Sequence, residues 1–223
     1  KNNIIFEKVF ILGGTSEIAQ EICTKLVESG TKEIHLVCRN VEKVSLFIKN
    51  LSKEFKIKIS LEKLDMLDYN LTIKPKINFY NLYIIATGYL GNSIIASDNP
   101  YEAYKIARVN YYSLIPWINS ITSENRISKP GSIWILSSVA GDKGRPSNFH
   151  YGAAKAALTI FCEGIFHRCL EKPFKVRIIK IGIIRTSMSN KNIPKILSVS
   201  KNYLANKLIR KPLNEGIEYL PWW

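Results

Sequence analysis

The chain lacks any uninterrupted apolar run of the about eighteen residues that a membrane-spanning helix requires. Cysteine and histidine are scarce, with four and three residues, and they form neither a C-x-x-C pair nor a group at metal-ligand spacing. Acidic residues are few as well, since 18 aspartates and glutamates stand against 32 lysines and arginines. These shortages exclude a bilayer-spanning segment and a cysteine–histidine metal site, so we predict no metal.

The excess of basic residues gives a net charge of +14, which has three possible explanations. They are binding to nucleic acid, attraction to an anionic membrane surface, and solvent-exposed faces that are basic because the whole proteome is rich in lysine. The basic residues are spread along the chain and no nucleic-acid-binding module is visible, so we predict no nucleic-acid partner. Attraction to anionic lipid or to a phosphorylated substrate stays open.

The cysteines and the first residues bear on the compartment. The four cysteines are predicted to be reduced core residues of a cytoplasmic protein. The opening KNNIIFEKVFILGG contains a short apolar run that leads directly into a glycine turn. That pattern predicts a first strand rather than a secretion signal.

Strand-like apolar runs alternate with helical patterns, and there is no internal repeat or low-complexity linker. This alternation predicts one doubly wound α/β domain over residues 1–223, with a parallel sheet of six or seven strands and a ligand crevice at their carboxyl ends. Strands are predicted at 8–12, 33–38, 57–64, 79–86, 131–136 and 174–181. Helices are predicted at 16–29, 41–55, just before Pro75, 99–123 with a bend at Pro116, 149–170 and 200–210.

Tyr151 and Lys155 lie four residues apart in a helical pattern, so their side chains share one face of the helix. An ammonium beside a phenol favours the phenolate, and we expect it to lower the pKa of Tyr151 from about 10 toward neutrality. A shift of about three units corresponds to roughly 4 kcal/mol, so a second cation such as an oxidised nicotinamide ring would help. Ser138 ends a predicted strand thirteen residues before Tyr151, where its hydroxyl is placed to polarise a carbonyl that the tyrosine protonates.

A glycine-containing turn, Gly13-Gly14-Thr15-Ser16, joins the first predicted strand to the first helix. Glycine lets the backbone approach a phosphate, which the first N–H groups of the helix bind with help from the helix dipole. Glu17 would repel a diphosphate, so we expect its carboxylate to point to solvent or to cap its own helix. The phosphate-binding residues predicted from this turn are Gly13, Thr15, Ser16, Glu17 and Ile18.

The residues after the second predicted strand, Val37-Cys38-Arg39-Asn40, include no acid. An acidic residue there would accept hydrogen bonds from a ribose diol and favour NAD, whereas Arg39 is able to bind a 2′-phosphate or to stack on adenine. The sequence therefore favours NADPH over NADH as the cofactor and leaves dual use open.

Ser138, Tyr151-Gly-Ala-Ala-Lys155 and the turn GGTSEIA together resemble the short-chain dehydrogenase/reductase family over nearly the whole chain. Within that family, LGGTSEIA and SSVAGDKGRPSNFHYGAAKAAL look most like the decaprenylphosphoryl-keto-ribose reductases and related enzymes of bacterial surface-polysaccharide synthesis. The resemblance implies a Rossmann-type fold, an NADP or NAD cofactor, and reduction of a keto-sugar carbonyl. It also implies that Tyr151 is the general acid or base, that Lys155 assists it and binds the nicotinamide ribose, that Ser138 orients the carbonyl, and that Asn110 holds a water linking Lys155 to solvent.

The resemblance implies further cofactor contacts. Asp65 and Met66 match the residues beside adenine, and Ala86-Thr87-Gly88 stands where the family usually has Asn-Ala-Gly. The segment 182–186 matches the family's Pro-Gly-x-x-x-Thr with Ile181 in place of the proline. Thr186 and the Ile184 backbone are therefore expected to bind the nicotinamide carboxamide.

Substrate contacts are expected from segments 147–150 and 187–195, which flank the predicted site. Besides Ser138 and Tyr151, the predicted substrate residues are Phe149 and His150, with His150 not acting as the base. The substrate is a small molecule or, by resemblance, a sugar linked to a lipid phosphate. Because the family usually forms dimers and tetramers, we also predict a homo-oligomer.

The C-terminal run Glu218-Tyr219-Leu220-Pro221-Trp222-Trp223 has two interpretations. Terminal tryptophans suit a protein contact or a membrane–water interface, which would place the protein peripherally at the inner face of the cell membrane, with the native chain continuing beyond Trp223. Alternatively, the segment packs on its own domain.

Two other functions stay open. One is a reductase of the same fold acting on a soluble nucleotide sugar, a steroid or an acyl-thioester carbonyl. The other is a non-catalytic nucleotide-binding module of a membrane-associated complex, in which Glu17 and the missing asparagine have weakened cofactor use.

Overall fold

The computed structural model describes residues 6–186 and 198–220 of the chain. Seven strands of these residues form one parallel sheet and two more form a small separate ladder. In chain order the strands are β1 (Lys8–Leu12), β2 (Glu33–Cys38), β3 (Lys58–Lys63), β4 (Leu82–Ile85), β5 (Gly131–Ser138), β6 (Phe174–Ile181), β7 (Ile184–Arg185), β8 (Val199–Ser200) and β9 (Gly216–Leu220).

Helices cover both faces of the sheet, and two short 3₁₀ turns, Tyr112–Leu114 and Val139–Gly141, interrupt the connections. This architecture confirms the predicted doubly wound α/β fold and sets the number of strands in the main sheet at seven. The α-helices of the described residues are α1 (Glu17–Glu28), α2 (Glu42–Glu54), α3 (Ser93–Asp98), α4 (Pro100–Asn110), α5 (Ile115–Ile121), α6 (Glu124–Ile127), α7 (Phe149–Cys169) and α8 (Lys201–Arg210).

The strand order of the main sheet is β3-β2-β1-β4-β5-β6-β9, so the direction of winding reverses between β1 and β4. In a parallel sheet of this kind, ligands bind at the carboxyl ends of the strands beside such a reversal. Gly13 directly follows β1 and Ala86 directly follows β4, while Ser138 ends β5. The topology therefore brings three of the predicted site segments to one edge of the sheet.

The core consists of two apolar layers, one on each face of the sheet. Val9 and Ile11 of β1 pack in the layer that contains α1 and α8, whereas Phe10 and Leu12 pack in the layer that contains α5 and α7. Strands buried on both faces need apolar side chains at every position, which explains runs such as KVFIL. All four cysteines are buried and in no disulfide, as predicted.

The helix predicted over 99–123 is wrong in its extent. Helix α4 ends at Asn110, because Tyr111 leaves the helical conformation with φ −141° and ψ −68°, and α5 begins only after a 3₁₀ turn. Proline has no N–H for the carbonyl four residues earlier and its ring crowds that carbonyl. The chain therefore breaks five residues before Pro116 rather than bending there, and Asn110 becomes the last residue of α4.

The short helix predicted before Pro75 is also wrong, since residues 64–81 form turns and extended chain. The Asp65 carboxylate accepts a hydrogen bond from the Leu67 N–H at 3.0 Å, and the Asn70 side chain accepts one from the Thr72 N–H at 3.0 Å. Such side chain-to-backbone bonds offer the chain an alternative to the helical pattern.

Strand β9 forms the edge of the sheet beside β6. Residues 216–220 therefore belong to the domain itself, which favours the second interpretation of the C-terminal run for this part of it. Pro221, Trp222 and Trp223 lie outside the described residues. None of the helices in residues 6–186 and 198–220 combines the length and the apolar content needed to span a bilayer.

Candidate active site

The turn after β1 is held tightly against β4. Gly13 has a φ of +105°, and a Cβ at this position would lie 2.6 Å from the Thr87 backbone nitrogen. The N–H groups of Gly13 and Gly14 both donate to the Val37 carbonyl, at 2.8 and 3.0 Å. Only glycine fits this close approach, and the turn delivers the chain directly into α1, whose N-terminus faces the crevice.

A cleft of about 370 Å³ opens at this edge of the sheet. Its volume lies within the range of small-molecule sites, which is roughly 300–1,000 Å³. Eight of the predicted cofactor residues line it and so are brought together by the fold: Gly13, Thr15, Ser16, Arg39, Asp65, Met66, Ala86 and Gly88.

Arg39 and Asp65 lie at one end of the cleft. The Arg39 Nε is 3.9 Å from the nearer carboxylate oxygen of Asp65, and the Arg39 side chain is 68% exposed. The guanidinium is thus only loosely paired and stands at the mouth of the cleft. This position fits the predicted contact with an adenosine 2′-phosphate.

Glu17 is the first residue of α1 but does not line the cleft. Its carboxylate forms an ion pair with the Lys201 ammonium at 3.1 Å, whereas Ser16 caps the helix by accepting from the Ala19 N–H. Glu17 is therefore partly exposed and outside the lining of the cleft, while Ser16 supplies the helix cap. The sequence carries no local signal for this pair, because 184 residues separate its partners.

Ser138 stands at the C-terminal end of β5, where the chain enters a 3₁₀ turn. Its hydroxyl accepts a hydrogen bond from the Ala140 N–H at 3.1 Å and donates to the Ile181 carbonyl at 3.3 Å. It also lies close enough to the Tyr151 phenol to lower the pKa of that group. The fold therefore brings Ser138 and Tyr151 together as predicted.

Tyr151 and Lys155 share one face of α7. Tyr151 is half-buried and Lys155 is buried, and the ammonium lies 5.8 Å from the centre of the tyrosine ring. Gly152, which directly follows Tyr151 on this helix, has no room for a side chain, because its Cβ would lie 2.6 Å from the Ala140 carbonyl oxygen. This close packing presses the start of α7 against the turn that carries Ser138.

The pKa values differ from the sequence-based expectation. Burial raises the pKa of the Tyr151 phenol, and the neighbouring Ser138 hydroxyl lowers it by less. Burial also lowers the pKa of Lys155 from 10.5 to about 8, and its ammonium donates to the Leu136 carbonyl at 3.1 Å rather than to the phenol. The expected lowering of the Tyr151 pKa by Lys155 is therefore wrong for the chain without ligand.

The lowered pKa of Lys155 predicts how stability depends on pH. Below pH 8 the folded chain holds a charged buried lysine at full cost, and the cost shrinks as the pH rises from about 8 toward 10.5 because the unfolded chain then binds more protons. Compared with Lys155→Met, the wild type is expected to gain about 1 kcal/mol of unfolding free energy between pH 7 and pH 9. Urea titrations of both proteins at several pH values measure this, and a difference that stays constant with pH would contradict it.

Asn110 is fully buried and lies close to Lys155. A Cβ on Gly88 would lie 3.4 Å from the Asn110 Oδ1 and 3.8 Å from the Lys155 Nζ, so both groups border the same small space. The Asn110 amide donates to the carbonyls of Tyr89 and Ile106, at 2.6 and 2.9 Å, and its oxygen accepts from the Tyr89 N–H at 3.2 Å. The break of the helix after Asn110 leaves this amide between α4 and the end of β4.

The remaining predicted residues lie around this centre. Phe149 and His150 stack with ring centres 4.3 Å apart, Phe149 being exposed, and the ring nitrogen Nδ1 of His150 is buried without a hydrogen-bond partner among the described residues. Ile184 is buried in β7, and Thr186 follows that strand. The predicted substrate segment 187–195 lies outside the described residues.

Several residues that line the cleft were not predicted from the sequence, among them Tyr89, Lys105 and Val109. The Tyr89 hydroxyl bonds a carboxylate oxygen of Glu102 at 2.7 Å, and this buried carboxylate pairs with Lys105. A signal was present, because Lys105 and Val109 are four residues apart on the helix that ends at Asn110. Inspection of the residues that precede Asn110 on this helix would have identified Lys105 and Val109 as candidates.

Comparison with known proteins identifies the architecture. Residues 7–196 match the family model described as short chain dehydrogenase. The chain belongs to the short-chain dehydrogenase family. The predicted family is thus confirmed, and the protein is an NAD(P)-dependent oxidoreductase.

Relatives of this short-chain dehydrogenase include proteins of Mycobacterium tuberculosis and Streptomyces coelicolor. An oxidoreductase of Mycobacterium tuberculosis, named as uncharacterized, is 24% identical over 96% of this chain and 88% of its own length. Another, from Streptomyces coelicolor, is 24% identical over 79% of this chain and 72% of its own length.

Among solved structures, a short-chain dehydrogenase from Sphingobium yanoikuyae in complex with NADPH superposes with a TM-score of 0.84 at 16% identity, covering 96% of this chain and 87% of that one. The 0.95 Å structure of the oxidoreductase yciK from Escherichia coli superposes with a TM-score of 0.82 at 17% identity, covering 98% and 96%. At this identity the likeness shows the fold.

Proposed function

We propose that residues 1–223 form one NAD(P)-binding unit that reduces the carbonyl of a small molecule, with NADPH as the preferred cofactor. The observation that carries the proposal is a chain of neighbours: Ser138 lies near Tyr151, Tyr151 near Lys155, and Lys155 and Asn110 border Gly88, which lines the cleft. A phenol next to a hydroxyl and a buried amine is a suitable proton donor for a carbonyl oxygen.

The residues present fit a dinucleotide. Gly13 and Gly14 let the backbone approach a diphosphate at the N-terminus of α1, Asp65 and Met66 bound the outer end of the cleft, and Gly88 leaves space beside Lys155. When bound, the nicotinamide supplies the hydride. The protein's own contribution is to hold the two reactants in place and to move one proton.

Each catalytic residue has a role that follows from its contacts. The Ser138 hydroxyl orients the substrate carbonyl, and the Tyr151 phenol donates the proton to its oxygen. The raised pKa of Tyr151 keeps the phenol protonated, which suits a general acid in the direction of reduction. Lys155, with a pKa of about 8, is able to exchange protons near neutral pH, and Asn110 provides the next polar group.

The preference for NADPH rests on Arg39, and the Sphingobium neighbour of the same fold is a complex with NADPH. Arg39→Ala is expected to raise the dissociation constant of NADPH about tenfold and that of NADH less than about twofold, because only NADPH has a 2′-phosphate for the guanidinium. Fluorescence titration with each cofactor measures both constants. Arg210→Ala, an exposed arginine on α8, serves as the control.

The same titration tests the proposal as a whole. Equal losses of affinity for NADPH and NADH in Arg39→Ala would mean that the arginine stacks on adenine instead of binding the 2′-phosphate. If the wild-type protein shows no saturable signal with NADPH or with NADH, the enzyme proposal fails and a non-catalytic nucleotide-binding module takes its place.

For the substrate we propose a keto-sugar, with a polyprenyl-phosphate-linked keto-pentose as first choice and bacterial cell-surface polysaccharide synthesis as its setting. The support is the resemblance of residues 137–158 to the keto-ribose reductases and the charge of the loop beside the site. Lys143 and Arg145 in this loop are exposed, while the carboxylate of Asp142 is paired with Lys180. The loop therefore offers positive charge to a phosphorylated substrate.

This choice has a direct test. Reduction of a polyprenyl-phosphate-linked keto-pentose with NADPH is compared with reduction of a soluble nucleotide keto-sugar and of an acyl-thioester ketone. Preference for a soluble substrate would replace the lipid-linked one. The proposal includes a cytoplasmic enzyme at the inner face of the membrane, held there by its basic surface and C-terminal segment, and assembled as a homo-oligomer.

A further inference from the structure

Glu17 places a carboxylate beside the proposed diphosphate site. It is the first residue of α1, directly after Ser16, which lines the cleft. The N-terminus of a helix attracts anions through its backbone N–H groups and its dipole. The Ser16 side chain and carbonyl already bind the N–H groups of Ala19 and Gln20, so the donors left for a phosphate are at the very start of the helix, next to Glu17.

Lys201 brings a compensating charge to this point. It is the first residue of α8, and its ammonium lies 3.1 Å from the Glu17 carboxylate, with 40% and 32% of the two side chains exposed. The position of Lys201 is well defined by its surroundings: Ser200 pairs with Arg185 in the β7–β8 ladder, and Leu204 is buried in the core. The ammonium is therefore held over the start of α1 by the fold.

We infer that Lys201 is an affinity determinant for the dinucleotide, an inference that rests on the proposed function. Its ammonium neutralises Glu17, so that the N-terminus of α1 keeps its attraction for the diphosphate. A carboxylate so close to a phosphate would otherwise oppose binding, since like charges at this distance repel appreciably even where solvent screens them. Lys201 acts through Glu17 and is a positioning residue, not a catalytic one.

A purely structural role for the pair is the competing explanation. Helices α1 and α8 are also tied by a hydrogen bond from the Asn202 amide to a carboxylate oxygen of Glu21 at 2.8 Å. Glu21 lies about one turn after Glu17 on α1, and Asn202 directly follows Lys201 on α8. This neighbouring bond joins the same two helices and leaves Glu17 and Lys201 intact. Asn202→Ala is thus a matched control for loss of a tie between α1 and α8.

The test measures dissociation constants of NADPH and NADH by fluorescence titration. Lys201→Met is expected to raise both about threefold to tenfold, because the diphosphate is common to the two cofactors. Glu17→Gln is expected to lower both or leave them unchanged, and the double variant Glu17→Gln/Lys201→Met is expected to bind like the wild type. Asn202→Ala is expected to bind like the wild type. Raising the salt concentration is expected to shrink the effect of Lys201→Met.

Each outcome decides a different point. Unchanged affinity in Lys201→Met, or an equal loss in Asn202→Ala, overturns the inference and leaves a structural tie. A double variant that binds as weakly as Lys201→Met overturns it too, because repulsion by Glu17 is then not the cause.

If Lys201→Met does not fold, as judged by circular dichroism, Glu17→Gln decides alone, and weaker binding in it overturns the inference. A wild-type protein that binds no dinucleotide at all overturns the proposed function instead.

Discussion

Tyr151→Phe is expected to lower kcat about a thousandfold, while the dissociation constant of NADPH changes by no more than several-fold. The substitution removes only the phenolic oxygen, which is the proposed proton donor and lies near the Ser138 hydroxyl. The ring that packs near the Lys155 ammonium stays. Initial rates with a keto substrate, together with a cofactor titration, separate loss of chemistry from loss of binding.

The matched control for this variant is Tyr112→Phe. Tyr112 is an exposed tyrosine in the 3₁₀ turn after α4 and lies outside the cleft, so its loss of a hydroxyl is expected to leave both kcat and cofactor binding unchanged. Near-full turnover in Tyr151→Phe would show that another group supplies the proton, with His150, which adjoins Tyr151, as the next residue to replace.

Glu218→Ala is expected to have the largest effect on stability, a loss of about 3 kcal/mol in the free energy of unfolding. Arg177 on β6 is completely buried, and its Nε and one Nη lie 2.8 and 2.7 Å from a single carboxylate oxygen of Glu218 on β9. The guanidinium also lies 5.0 Å from the ring centre of Trp134. Without the carboxylate, a charge buried in the core has no counter-ion. Equilibrium unfolding in urea measures the loss.

An exposed ion pair nearby provides the control. Lys175 and Glu215 pair at 2.9 Å at the start of the same two strands, with about a third of each side chain exposed. Glu215→Ala is expected to cost less than about 1 kcal/mol, because water solvates both partners and screens their attraction. Equal losses from Glu218→Ala and Glu215→Ala would mean that the burial of Arg177 has no energetic consequence.

The accuracy of the sequence-based prediction varied with the kind of segment. The bounds of β1 were predicted without error, because its residues 9–12 are a continuous apolar run that is buried on both faces of the sheet. The break after Asn110 was not predicted, since the helical pattern continues through it and only the packing of the Asn110 amide against Tyr89 reveals it. The turns after Asp65 were not predicted either, because they depend on hydrogen bonds from backbone N–H groups to the Asp65 and Asn70 side chains.

The residues of the candidate active site also fall into those that local sequence patterns predict and those that only the packing reveals. Its members were predicted because glycines in a turn and a tyrosine four residues before a lysine are local patterns that the sequence contains. The cleft-lining Lys105 was missed although its spacing from Val109 is visible in the sequence, because only the packing of α4 shows that this face of the helix borders the cleft.

The sequence alone determined the doubly wound α/β fold, the family, and the spacing that puts Tyr151 and Lys155 on one helix face. The tertiary structure decided the protonation of that pair, because the pKa shifts of Tyr151 and Lys155 come chiefly from their burial. It also decided that Glu17 pairs with Lys201, across 184 residues of chain. Apolar periodicity and turn chemistry are local and can be read along the chain, whereas solvation and the pairing of distant charges exist only after the segments have packed together.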